Sequence, residues 1–146
     1  YADLIEAHPI IMNAESARSL GWELAHHRDL ISESLRERLA FGLGQTEAAL
    51  DRAYGVFACT RAEFPAVMDG LDVLVTPAAP GEAPRGLAWT GDPAFNFIWT
   101  SLHVPCVTVP AGAGPNGLPL GIQIVGRHGE DRAVLAWARW VEAALN

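Results

Sequence analysis

The chain has 146 residues, the size of one ordinary domain, and half of them are hydrophobic, so it can bury a core. Its net charge of −7 argues against nucleic acid and anionic membrane as partners. All ten basic residues are Arg, and there is no Lys. No apolar run approaches the roughly 20 residues that span a bilayer, and no basic-then-apolar start suggests a secretory signal. Two Cys make no disulfide framework. Cys106 falls in an apolar strand and Cys59 in a helical pattern, so both are expected to be buried thiols of a cytoplasmic protein.

His8-Pro9 places a proline where a helix can begin. Ile10, Ala14, Ala17, Gly21 and Leu24 then recur at steps of three and four, which predicts a helix over 9–26. Ser34-Leu-Arg-Glu37 spells a capping box, with Leu35, Leu39 and Leu43 on one stripe and Gly44 at the end. Thr46 can cap a longer helix, with Glu47 in its first turn. Its stripe is Leu50, Ala53, Tyr54, Phe57, Ala58 and Phe64, Pro65 should kink or shorten it, and Gly70 stops it.

A strand is expected over 72–76. Residues 77–91 are rich in Pro and Gly with little periodicity, and a loop that long in a compact domain is often functional. Asp92 reads as an N-cap and Pro93 as the first helical residue, with Phe95, Ile98, Trp99 and Leu102 on the apolar face. That helix ends near His103, because Val104 precedes Pro105. Two β-branched runs, 106–109 and 120–125, flank a segment dense in Gly and Pro, and Asn116-Gly117 suits a turn with φ > 0. Both runs are apolar on both faces, as in a sheet covered by helices on two sides, and Gly121 and Gly126 allow close backbone approach. A last helix begins near Glu130, with Val134, Trp137, Ala138, Val141 and Leu145 as its stripe. The sum is an α/β chain of about five helices and three strands, with no internal boundary across 1–146.

Self-contained chemistry is scarce. The five serines are Ser16, Ser19, Ser32, Ser34 and Ser101, and none sits in a Gly-rich nucleophile turn. No catalytic residue is assigned. His103 and Cys106 stand three apart, but a helix end followed by a strand does not aim them at each other, and a helix-end histidine with a core cysteine is the plainer reading. His26 and His27 are sequence neighbours and so diverge on a helix; with His8 and His128 they form no metal-ligand spacing. No metal and no cofactor is expected. Asp92 is most simply a helix cap, and as a carboxylate at a loop-to-helix junction it can also meet a substrate amine or amide. Trp89, Phe95 and Trp99 suit a core; clustered beside the long loop they also suit an apolar pocket wall. The candidate substrate-binding residues are therefore Asp92, Phe95, Trp99 and Trp89. A buried Gln123 needs hydrogen bonds, most simply to backbone, and Arg127 and Asp131 read as solvated.

Pro105-Cys-Val-Thr-Val-Pro110 followed by Gly117-Leu-Pro-Leu-Gly-Ile-Gln-Ile-Val-Gly126 resembles the C-terminal part of the amidase signature family. Asp72-Val-Leu-Val-Thr-Pro77 with Ala83-Pro84, and then Asp92-Pro-Ala-Phe-Asn96 with Trp99-Thr100, match further pieces of it in the same order. The resemblance runs from about His8 to the end. It implies that the chain is one end of a larger α/β/α sandwich with a mixed sheet. It also implies a hydrolase that cleaves carboxamide C–N bonds through an acyl-serine intermediate. The family's Ser-Ser-Lys machinery belongs to an upstream segment, and a chain without Lys cannot supply its base. The resemblance thus implies a scaffold and substrate-pocket portion, inactive alone, whose partners are the missing N-terminal part and a small-molecule amide. Strands that have lost neighbours would favour self-association into a homo-oligomer. The alternative is a non-catalytic chain that binds a partner or completes a split enzyme. Tyr1, which is no natural initiator, hints at a cut product.

Overall fold

A computed structural model describes residues 1–145. Six α-helices and three strands run in the order α1 (Ala2–Ser19), α2 (Gly21–His26), α3 (Glu33–Leu43), α4 (Glu47–Val67), β1 (Leu74–Pro77), α5 (Ala94–Leu102), β2 (Cys106–Ala113), β3 (Pro119–Val125) and α6 (Asp131–Leu145). A short 3-10 turn at Arg28–Leu30 joins α2 to α3. The residues group into two compact units, 1–60 and 61 onward, and the division falls within α4.

In the first unit, α1 packs on α3 and α4. The buried face of α1 is Leu4, Ala7, Ile11, Ala14 and Ala17, a three-and-four repeat that starts well before Pro9. That repeat explains why the helix begins at Ala2 rather than at the proline. Pro9 lies inside it at the cost of one backbone bond, and the continuous apolar face outweighs that loss. The predicted single helix over 9–26 is in fact broken at Leu20, and α2 buries nothing. The capping box at Ser34 is also corrected. Ser32 is the cap, accepting from the Leu35 N–H at 3.4 Å, which leaves Ser34 in the first turn. This register sets Glu33 at the positive helix start. Leu39 is fully buried, but Leu43 is exposed. Thr46 caps α4 as expected, accepting from the Ala49 N–H at 3.1 Å. Leu50, Ala53 and Phe57 of α4 are buried, whereas Tyr54 and Ala58 are exposed. The Tyr54 hydroxyl instead donates to Glu15 at 2.7 Å.

In the second unit, the three strands form one antiparallel sheet in the order β1-β3-β2. Adjacency of β2 and β3, which a long connection leaves open, is realised as a hairpin. Both strands outrun the predicted runs, and the register shifts between Pro110 and Gly112, where Pro110 lacks a ladder N–H. Val109, Ile124, Val134 and Ala138 form a buried cluster that seats α6 on one face of the sheet, with Val107, Ile122, Trp137 and Val141 around it. Leu145 ends the predicted stripe but is exposed. A Cβ on Gly126 would strike Val134 Cγ2, and one on Gly121 would come within 2.6 Å of Thr108 Cγ2, so both glycines are required by close packing. The expected cover on both faces is incomplete among the described residues: Val75 and most of β2, including Cys106, are exposed. Both cysteines are exposed, which corrects the expectation of buried thiols. Neighbours still crowd the Cys106 sulfur enough to push its thiol up to about 11.

Candidate functional site

Thr76, Gln123 and Thr108 stand in register across β1, β3 and β2, so they share one sheet face, opposite the α6 cluster. α5 meets that face through Asn96. The buried Gln123 amide donates to Asn96 Oδ1 at 2.5 Å, and Asn96 Nδ2 donates to the Ala78 carbonyl at 3.3 Å. Gln123 is thus bonded to side chains rather than backbone: Asn96 of α5 and, at 3.5 Å, the Thr76 hydroxyl of β1, which donates to its Oε1. The sequence contains the donors and acceptors but not the fold that pairs residues 27 apart.

The bond to Ala78 fixes the start of the long loop, 78–93, and Ala78 N–H adds a bond to the Gly121 carbonyl at 3.0 Å. Between the loop backbone and Pro119 and Gly121 of the hairpin lies an open cavity of about 430 Å³. Trp89, Thr90, Gly91, Asp92 and Glu82 are among its lining residues. Two of the four predicted site residues, Trp89 and Asp92, therefore come together there. Trp89 is 62% exposed, so its ring is available rather than committed to a core.

Asp92 also keeps its capping role. Its Oδ1 accepts from the Ala94 N–H at 2.9 Å, although the helix begins one residue later than predicted, with Pro93 at the N-cap. Among the described residues its second oxygen makes no hydrogen bond. The structure places Phe95 and Trp99 elsewhere. Both lie half-buried on α5, outside that cavity's lining, and the Trp99 ring packs near Phe64 at 6.4 Å between centroids. The Trp99 indole N–H is buried and finds no hydrogen-bond partner among the described residues.

Sequence reasoning missed Glu82. Its Oε1 accepts from the backbone N–H groups of Asn116 at 2.9 Å and Leu118 at 3.1 Å, and its Oε2 from Asn116 Nδ2 at 2.6 Å. The Asn116 side chain, with the backbone N–H groups of the turn, holds the Glu82 carboxyl below its ordinary value. Gly117 has the positive φ (80°) expected of the Asn-Gly turn. The only hint in the sequence is an acid within a Pro- and Gly-rich loop, and that does not reveal its partner.

A second cavity, of about 470 Å³, is lined by Arg61, Phe64, His103, Arg127 and His128, among others. Arg127 is no merely solvated cation: one of its nitrogens donates to the Met68 and Leu71 carbonyls, both at 2.7 Å, closing the chain after α4. His103 takes a left-handed conformation (φ 56°) at the end of α5 and meets Arg61 at 2.8 Å. Its ring engages Arg61, while the Cys106 thiol donates to the Val104 carbonyl at 3.8 Å. His26 stacks on Trp22. No cluster of metal-ligating side chains exists among the described residues, and no described helix is long and apolar enough to cross a membrane.

Comparison with known proteins gives the family. The family model described as Amidase matches residues 12–135. The chain is 31% identical, over 91% of its length, to a glutamyl-tRNA(Gln) amidotransferase subunit from Synechococcus sp. (strain WH7803), of which it covers 30%. It is 32% identical, over 77% of its length, to the subunit of the same name from Methylocella silvestris, covering 26% of that protein. Among solved structures, a crystal structure of an amidase superposes with a TM-score of 0.89 at 30% identity, covering 98% of this chain and 36% of that one. A 6-aminohexanoate cyclic dimer hydrolase shares the fold alone, with a TM-score of 0.77 at 19% identity, over 93% of this chain and 33% of that one. The chain belongs to the amidase signature family and has its α/β fold. It spans about a third of the length of the relatives it matches.

Proposed function

We propose that this chain is the scaffold and substrate-pocket portion of an amidase that hydrolyses carboxamide C–N bonds through an acyl-serine intermediate, with the Ser-Ser-Lys machinery supplied by a preceding segment. The observation that carries the reading is the family match over 12–135, joined to a chain that holds no Lys. Amidases and amidotransferase subunits among its relatives support amide chemistry, and relatives about three times as long support a partial portion. The cavity beside Trp89 and Asp92 supports the pocket role. An aromatic face and a carboxylate with one unengaged oxygen suit an amide substrate that carries a cationic or hydrogen-donating group.

The chain alone is expected to hydrolyse no carboxamide and to take up no serine-directed fluorophosphonate. A chimaera that joins these residues to the preceding portion of the 30%-identical amidase is expected to do both. Turnover by the chain alone, or specific labelling of one of its serines, sinks the reading.

A further inference from the structure

Two walls line the cavity at 78–92, and they come from separate parts of the chain: the loop itself, and the β2–β3 hairpin. The loop has no regular structure to stiffen it. Its start is held by the Ala78 bonds and its end by the Asp92 cap, so the stretch between them depends on what fastens its middle. Glu82 lies there. Its three bonds all reach the turn at 114–118, which is itself closed by Gly114 N–H to the Leu118 carbonyl (2.9 Å) and Gly117 N–H to the Gly114 carbonyl (3.0 Å).

We propose that Glu82 is a positioning residue: its carboxylate latches the loop to the hairpin turn and thereby sets the shape of the pocket that Asp92 and Trp89 offer to substrate. This rests on the reading of that cavity as the substrate pocket. The two carboxylates in the lining divide the work by geometry. Both Glu82 oxygens are occupied by the hairpin, so Glu82 does not meet the ligand. Asp92 spends one oxygen on its helix and has the other for the ligand. A Cβ on Gly114 would press on the Glu82 Cγ and carboxylate, so glycine at this position leaves the latch its room. Charge-assisted bonds are the strong kind, and Glu82 accepts three, two from backbone N–H groups and one from the Asn116 side-chain amide.

Two substitutions attack the latch from opposite sides. Glu82→Ala removes the acceptor; Gly114→Ala keeps it and pushes it away. In each variant of this chain, hydrogen exchange of the Asn116 and Leu118 amides is expected to quicken at least about tenfold, as when a local opening replaces a closed turn. The Trp89 indole resonance is expected to move, while the amides of Ile122 and Ile124 keep their rates and report an intact sheet. The double variant should add nothing to either single one. Benzylammonium, the cationic aromatic probe, should bind at least about threefold more weakly to each variant than to the parent chain. Unchanged exchange at Asn116 and Leu118 overturns the latch. Faster exchange with an unmoved Trp89 resonance overturns its hold on the pocket. If the parent chain binds no benzylammonium, the substrate-pocket reading fails, and the latch still stands or falls on exchange and the Trp89 resonance.

Discussion

The sheet with α6 and the loop before α5 lie within one compact unit, yet different forces hold them. Where α6 meets the sheet, Val109, Ile124, Val134 and Ala138 are all at most 4% exposed, and the contact is apolar burial with almost no polar detail. Around the cavity, by contrast, order comes from a few directed bonds: Gln123 to Asn96, Asn96 to Ala78, Glu82 to the hairpin turn, Asp92 to Ala94. Burial is non-directional and tolerates small shifts, so it sets the fold. Hydrogen bonds fail over tenths of an ångström, so they set the position of the wall. A pocket built this way can vary its specificity through loop residues while the sheet stays the same.

The largest effect is expected in the apolar region. Ile124→Ala empties a site that is 0% exposed and should cost about 2–5 kcal/mol, read as a lower denaturant midpoint with an unchanged slope. Retention of the parent midpoint would mean that α6 is not seated on this cluster. A smaller loss, about 1–3 kcal/mol, is expected for Asn96→Ala, because it strands the buried Gln123 amide. It should also loosen the loop start at Ala78, whereas Ile124→Ala should not do so at matched stability. Equal loop exchange in the two variants would erase the distinction between the regions.

The smallest effect is local and depends on pH. Glu82 has a folded-state value below its ordinary 4.5, so the latch is fully present above the ordinary value and is lost as pH falls through the lowered one. Asn116 and Leu118 amides should therefore lose protection on acidification well before the sheet amides do. Simultaneous loss at both places would show global unfolding and no separate latch. Cys106 offers a control on the open half of β2. With its thiol at about 11, it should react with iodoacetamide at pH 8 far more slowly than free cysteine, despite its exposure.

How far the sequence discloses all this follows the same division. The strands, the hairpin, the caps at Thr46 and Gly44, and the end of α5 at His103 are legible because turn chemistry and periodicity act locally. The start of α1 is lost because a proline signal is weighed above the repeat of Leu4 and Ala7 that precedes it. Cys106 and Arg127 are misread for a tertiary reason: whether a strand face is covered, or which carbonyls a cation meets, depends on elements distant in sequence. Of the site, Asp92 and Trp89 are visible as residue types beside a long loop. Glu82 is not, since nothing near it in the chain shows that residues 34 and 36 positions later will bind it.

The most direct test of the proposed pocket is the relative kcat/KM for a cationic and a neutral amide in the chimaeric amidase, compared between Asp92 and Asp92→Asn. Asn caps a helix nearly as well as Asp but carries no charge, so stability stays nearly constant while the pocket loses its anion. The account predicts that preference for the cationic amide falls about threefold to tenfold, the scale of a partly exposed charge contact. An unchanged ratio would contradict it and leave Asp92 as a helix cap alone.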